Sequence, residues 1–90
     1  MKSIAVIYGS DSSEWEVSVR SGEFTASQID PSRYDVYEIF ARFGEWTLRA
    51  YRRSGGDRVL IPEGERPHIC KCDFSVMLEG AKVKVDYAYI

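Results

Sequence analysis

Two cysteines, one histidine, three prolines and two methionines are spread over ninety residues, and each scarcity closes a class of explanation. Two cysteines cannot build the dense disulfide framework of a small secreted domain. Cys70 and Cys72 lie two apart on a stretch that reads as a strand. That placement suits no relaxed disulfide, so two unpaired thiols in a reducing compartment are expected, with neither given a role. His68 would share their strand face, but positions i and i+4 lie roughly 13 Å apart at about 3.3 Å per residue, too far for one tetrahedral zinc ion. No metal site is expected.

Other absences are as useful. The apolar run Ile4–Tyr8 is five residues long, too short for a signal-peptide core and far too short to span a bilayer. A net charge of −2 gives no electrostatic case for a nucleic-acid or anionic-membrane partner. Neither G-x-G-x-x-G nor G-x-x-x-x-G-K-[ST] occurs, which removes the physical basis for a dinucleotide or P-loop site. There is no repeat, low-complexity tract or long linker. With 44% hydrophobic and 29% charged residues the chain has the composition of an ordered globular domain.

What is present gathers in the first twenty-two residues. Ile4-Ala5-Val6-Ile7-Tyr8 reads as a strand buried on both faces, followed by a turn, Gly9-Ser10-Asp11-Ser12, and a helix start. Open α/β sheets place ligands at the carboxyl ends of their strands, where this turn lies. Asp11, Glu14 and Glu16 sit there against a single nearby base, Arg20. Such acids repel a phosphate and favour an ammonium group, although acids at a helix start also complement the helix dipole. Ser13-x-x-Glu16 has the form of a capping box, which gives Ser13 and Glu16 a structural task. Glu14, at the first helical position and without a local partner, is then the candidate binding residue.

The stretch from Ile4 to Gly22 resembles the amino-terminal segment of the D-alanine–D-alanine ligases, ATP-grasp enzymes of peptidoglycan precursor synthesis. The pattern is a strand, a Gly-Gly turn, a Ser, then Glu-x-Glu-Val-Ser and a Ser-Gly pair. Here Gly9, Ser12, Glu14, Glu16, Val17, Ser18, Ser21 and Gly22 are kept, and Ser10 stands where the second glycine usually does. Weaker similarity extends through the strand near residue 36 and the final strand.

The resemblance implies that Glu14 contacts the ammonium of the first D-alanine, with Val17 and Ser18 also in the substrate-binding set. It implies ATP and Mg2+ (or Mn2+) as cofactors of the parent enzyme, bound outside these residues. No catalytic, cofactor or metal residue is therefore expected here. The parent is expected to be cytoplasmic and to make homodimer contacts. Residues 1–90 would be one amino-terminal substrate-binding domain, truncated before the family's His-Gly-x-x-Gly-Glu motif and ATP-grasp lobes, and inactive alone.

Further along, a helix from about Glu14 to Gln28 puts Trp15, Ser18, Val19, Gly22, Ala26 and Ile29 on one broad face, with Asp30-Pro31 ending it. Phe24 is expected to pack. Tyr34–Phe40 makes a second, parallel strand. Trp46–Tyr51 and Arg58–Ile61 read as a hairpin across Ser54–Asp57. Ile69–Leu78 and Val83–Ile90 are the remaining strands. Tyr34, Tyr37, Phe40, Phe43, Trp46 and Tyr51 read as core and hairpin packing, since no basic groove accompanies them.

The expected fold is α/β: a partial Rossmann-like (pre-ATP-grasp) parallel sheet with one crossover helix and an antiparallel hairpin excursion. Two alternatives stay open beside the ligase reading. One is a nucleotide-binding Rossmann-type module, which the missing glycines disfavour. The other is a non-catalytic α/β interaction domain pairing through strand edges.

Overall fold

The computed structural model describes residues 2–53, 55–70, 73, 75–78 and 80–89. Strand β1 (Lys2–Tyr8) leads through a turn into helix α1 (Trp15–Ser27), and β2 (Tyr34–Arg42) returns parallel to β1, pairing Lys2 with Tyr34 through Tyr8 with Phe40. β3 (Glu45–Arg52) and β4 (Val59–Leu60) follow antiparallel. β5 (Ser75–Leu78) and β6 (Ala81–Lys84) form a separate two-stranded ribbon, and β7 (Tyr87–Tyr89) joins β1 in parallel. The five-stranded sheet has the order β4-β3-β2-β1-β7. Among the described residues the arrangement is mixed α/β with one α-helix, in keeping with the α/β expectation. Among the described residues no helix is long and apolar enough to cross a membrane.

β1 sits inside the sheet, which is why its apolar run does not alternate. Val6 and Tyr8 face α1 and pack with Val19, Ala26 and Val36. Ala5 and Ile7 face the other way and pack with Tyr37, Ile39, Leu48, Ile69, Val76 and Leu78. On that second side the β5–β6 ribbon covers the sheet where a regular doubly wound fold would place another helix. The helix wheel also holds: Val19, Gly22 and Ala26 are buried, with Trp15 and Ile29 packed at the margins. Gly22 is required, because a Cβ there would fall 2.1 to 2.5 Å from ring atoms and Cβ of Tyr8.

Several expectations are corrected. Phe24 does not pack; it is 67% exposed, as is Phe43 at 68%. Phe43 stands instead with Gly44 in a two-residue turn with φ of 51° and 77°, the left-handed conformation that joins β2 and β3 directly. Ile69–Leu78 is not one strand. Cys70 pairs antiparallel with Ser75, so the chain reverses between them around Asp73. That reversal removes the straight-strand premise, and Cys70 is disulfide-bonded rather than a free thiol. Cys72 lies outside the described residues. Val83–Ile90 also divides. Its first part belongs to β6, and the chain then bends at Asp86, whose N–H donates to the Ser3 carbonyl at 2.9 Å while its Oδ2 accepts from the Ser3 N–H at 2.8 Å. Those bonds seat β7 against β1, and Ile90 lies outside the described residues.

Candidate functional site

The turn at the carboxyl end of β1 is held by its serines. Gly9 adopts φ of 111°, and a Cβ there would meet the Ala41 carbonyl oxygen at 2.4 Å, so β1 and β2 approach closely only because residue 9 is glycine. The Ser10 hydroxyl accepts from the Ser12 N–H at 3.1 Å, and the Ser12 hydroxyl accepts from the Glu14 N–H at 3.2 Å. Ser18, one turn into α1, accepts from the Gly9 N–H at 3.0 Å and donates to the Gly9 carbonyl at 3.2 Å. Its hydroxyl bolts the helix to the strand end.

This local network overrides the expected capping box. Glu14 is the N-cap residue, not the first helical one, and the cap has no side-chain hydrogen bond. The Glu14 carbonyl accepts from the Val17 and Ser18 N–H groups at 3.1 and 3.3 Å. With the cap one residue later than Ser13, Glu16 becomes the second helical residue, where an acid complements the dipole without reaching back. The physical reason lies in Ser10 and Ser12, whose turn hydrogen bonds occupy the Glu14 amide and set where the helix begins. Glu14, Glu16, Ser13 and Val17 are all exposed, and Ser18 is half-buried.

The structure also brings in Arg42, which the sequence reading passed over. It ends β2, donates through Nε to the Ser10 carbonyl at 3.1 Å, and lies 4.8 Å from the Trp15 ring centroid and 4.6 Å from that of Phe43. Trp15 packs edge-on against Phe40 at 6.0 Å. Asp11 accepts from the Phe43 N–H at 2.5 Å. The β2–β3 hairpin tip therefore clamps the turn that carries Glu14. Sequence offered one signal, Arg42 two residues beyond an apolar strand, but the carbonyl it donates to is 32 residues away.

A second polar cluster lies beneath the helix. Glu38 is buried in the middle of β2; its Oε1 accepts from the Tyr8 hydroxyl at 3.0 Å, and Arg58 reaches both its oxygens. Glu23 of α1 takes Arg49 at 2.7 Å and Arg58 at 2.8 Å. The β2–β3 register slips at Glu38/Ile39, which makes Arg49 the extra residue of a bulge and lets it donate to Tyr8 at 3.0 Å as well. Burial pushes the Tyr8 hydroxyl up to about 12, with Glu38 adding to the shift and Arg49 opposing it. Burial would also raise the Glu23 carboxyl, but its hydrogen bonds and proximity to Arg49 and Arg58 outweigh that and hold it below the ordinary carboxylate range.

Among the described residues no three His, Cys, Asp or Glu side chains gather to hold a metal ion. No protein-family model matches the chain. Curated sequences do. Over 89 residues, 99% of this chain, it is 36% identical to the D-alanine–D-alanine ligase of Phocaeicola vulgatus and 35% identical to that of Parabacteroides distasonis. Across the same span it is 33% identical to the D-alanine–D-alanine ligase of Bacteroides thetaiotaomicron. The chain is related to the D-alanine–D-alanine ligases. It spans about a quarter of the length of these relatives, 24% in each case. The resemblance first seen in residues 4–22 thus runs through the whole chain, across the β2–β3 hairpin and the ribbon as well as β1 and α1.

Proposed function

We propose that this chain is the amino-terminal substrate domain of an ATP-dependent D-alanine–D-alanine ligase of peptidoglycan precursor synthesis. In this reading Glu14 presents its carboxylate to the ammonium of the first D-alanine, and Val17 and Ser18 shape the same pocket. The likeness to curated ligases over 99% of the chain carries the proposal. Two features support Glu14 in particular: it caps the helix at the carboxyl end of an interior parallel strand, and its carboxylate is exposed. We read β1, α1 and β2 as a partial Rossmann-like, pre-ATP-grasp unit, and the parent enzyme as cytoplasmic and homodimeric.

ATP and Mg2+ (or Mn2+) belong, in this proposal, to the remainder of the ligase. The residues described here do not fit them: the turn after β1 carries Asp11 and Glu14 where a phosphate would sit, and the acids near it do not converge. The work of this domain is to bind and orient one amino acid, and by itself it has no ligase activity.

A chimera tests the reading. The matching quarter of the Phocaeicola vulgatus ligase is replaced by this chain, and ATP-dependent condensation of D-alanine is measured. Activity is expected, and Glu14→Gln should raise the KM for the first D-alanine about tenfold to a hundredfold through loss of a charge-assisted hydrogen bond. A folded chimera whose D-alanine KM is indifferent to Glu14→Gln removes Glu14 from the site.

A further inference from the structure

Among the described residues no second α-helix covers the face of β2 and β3 beside α1. Two adjoining hollows of about 460 and 370 Å³ lie there, between the β2–β3 hairpin and the short 3-10 turn Glu63–Glu65. They share Phe40, Arg42, Glu63 and Arg66 as walls, so they form one groove. We propose that this groove is a binding site for a small molecule bearing a single carboxylate or phosphate group, held between Arg42 and Arg66. The proposal is independent of the role given to Glu14.

What singles out these two arginines is how they are held. Arg42 is fixed by the Ser10 carbonyl on Nε and by the rings of Trp15 and Phe43. Arg66 donates through Nε to the Ile61 carbonyl at 3.0 Å. Both anchors are neutral, so each guanidinium is oriented without its charge being cancelled by the group that orients it. Arg49 borders the groove too, but its charge is taken up by Glu23 at 2.7 Å. A guanidinium that is already ordered, Arg42 by stacking as well as by its hydrogen bond and Arg66 by its hydrogen bond, loses little further rotamer freedom on meeting a planar anion, and its fork matches a carboxylate or phosphate. Thr47 and His68 supply further polar groups on the groove wall, and Phe40 an apolar one.

The acids at the rim set the ligand class. Glu45 and Glu63 line the same groove and are exposed. They repel a chain of phosphates, which argues against nucleic acid or a triphosphate, while a compact single anion can sit between the arginines away from them. The half-burial of Arg42 and Arg66 strengthens their pull relative to the exposed acids, whose charge solvent screens.

The test is a nitrogen-15 NMR titration of the ninety-residue chain at low ionic strength with sodium acetate, inorganic phosphate and, as the screening control, sodium chloride. Saturable shifts of the Arg42 and Arg66 Nε–H signals and of the Thr47 and His68 amides are expected with acetate or phosphate. The tighter of the two identifies the headgroup. Arg66→Gln should weaken that affinity about tenfold, the equivalent of one charge-assisted contact, while Arg20→Gln on the exposed side of α1 should not change it. Arg66→Gln is the primary variant because Arg42 also holds the hairpin; Arg42→Gln is read only if its spectrum keeps the native dispersion. Shifts that chloride reproduces at equal ionic strength, or that survive Arg66→Gln unchanged, overturn the proposal.

Discussion

Arg58 closes on Glu38 with two hydrogen bonds, Nε to Oε2 at 2.7 Å and Nη2 to Oε1 at 2.9 Å. The Glu38 side chain is 3% exposed while that of Arg58 is 39% exposed. The pair is therefore lopsided: the acid depends on the base far more than the reverse. Arg58→Met should lower stability by about 2–3 kcal/mol, less than the roughly 3–5 kcal/mol of a fully buried pair because Arg58 is partly solvated. Changing Glu38 and Arg58 together to methionine should recover most of that loss, since no buried charge is then left unpaired. Denaturant unfolding measures both. A loss below about 0.5 kcal/mol for Arg58→Met, the range of an ordinary surface change, would sink the idea that Glu38 relies on it.

The same cluster fixes a pH dependence. Burial raises the folded Tyr8 hydroxyl from 10.0 to about 12. Its contribution to stability is complete below the ordinary tyrosine value and is lost as pH rises through the folded value. Tyrosinate absorbance should therefore show Tyr8 ionising late, and Tyr8→Phe should remove that late component; Tyr37, also raised by burial, needs its own Tyr37→Phe control. Six tyrosines ionising together while the chain is still native would contradict this.

Acid reads the other end of the network. Glu23 is held below the ordinary carboxylate range, so its contribution is present above the unfolded value and lost as pH falls through the folded one. Glu23→Gln should flatten the acid limb of a stability–pH curve. An unchanged limb would mean that Arg49 and Arg58 do not stabilise the charged form.

Which of these features could be read from the sequence follows from range. The Ile4–Tyr8 run, the helix wheel and the parallel β2 are local patterns, and each stands where the pattern put it. The expected hairpin is there, with Ala50 paired to Leu60 and Tyr51 to Val59. The additional β2–β3 pairing turned on Phe43 taking a positive φ, which a large residue seldom does, and no sequence signal announced it. The capping box gave way to a competing local network: Ser10 takes the Ser12 amide, Ser12 takes the Glu14 amide and Ser18 takes the Gly9 amide, and the helix starts one residue later than a Ser13 cap requires. The Glu38–Arg58 pair spans 20 residues and had only an indirect signature. A charge in the middle of Val36–Phe40 demands a partner, but the sequence does not say which of the arginines supplies it.

Gly22 gives a sharper test of the packing. In a free helix Ala is favoured over Gly by about 1 kcal/mol, so propensity alone predicts that Gly22→Ala stabilises. The new Cβ would overlap Tyr8 ring atoms at 2.1 and 2.4 Å. Overpacking of that kind should reverse the sign and lower stability by about 1–3 kcal/mol. Thermal or denaturant unfolding decides it, and a stabilised Gly22→Ala protein would mean that α1 does not lie this close to β1.

Glu14, Glu16 and Ser18 should separate cleanly. Ser18 makes both hydrogen bonds to Gly9, so Ser18→Ala should lower stability by about 1–2 kcal/mol in the ninety-residue chain. Glu16 is exposed and closes no capping box, so Glu16→Ala should stay within about 0.5 kcal/mol, as should Glu14→Gln, whose carboxylate supports no cap hydrogen bond. In the ligase chimera the order should differ: Glu14→Gln raises the D-alanine KM, Glu16→Ala leaves it near its starting value, and Ser18→Ala acts on stability and KM together because it moves the turn. The comparison distinguishes a residue that binds from one that holds the binder in place. If Glu16→Ala destabilises the chain by more than about 1 kcal/mol, a capping interaction forms in solution after all. If Glu16→Ala rather than Glu14→Gln raises the KM, the ammonium contact belongs two residues further on, at Glu16.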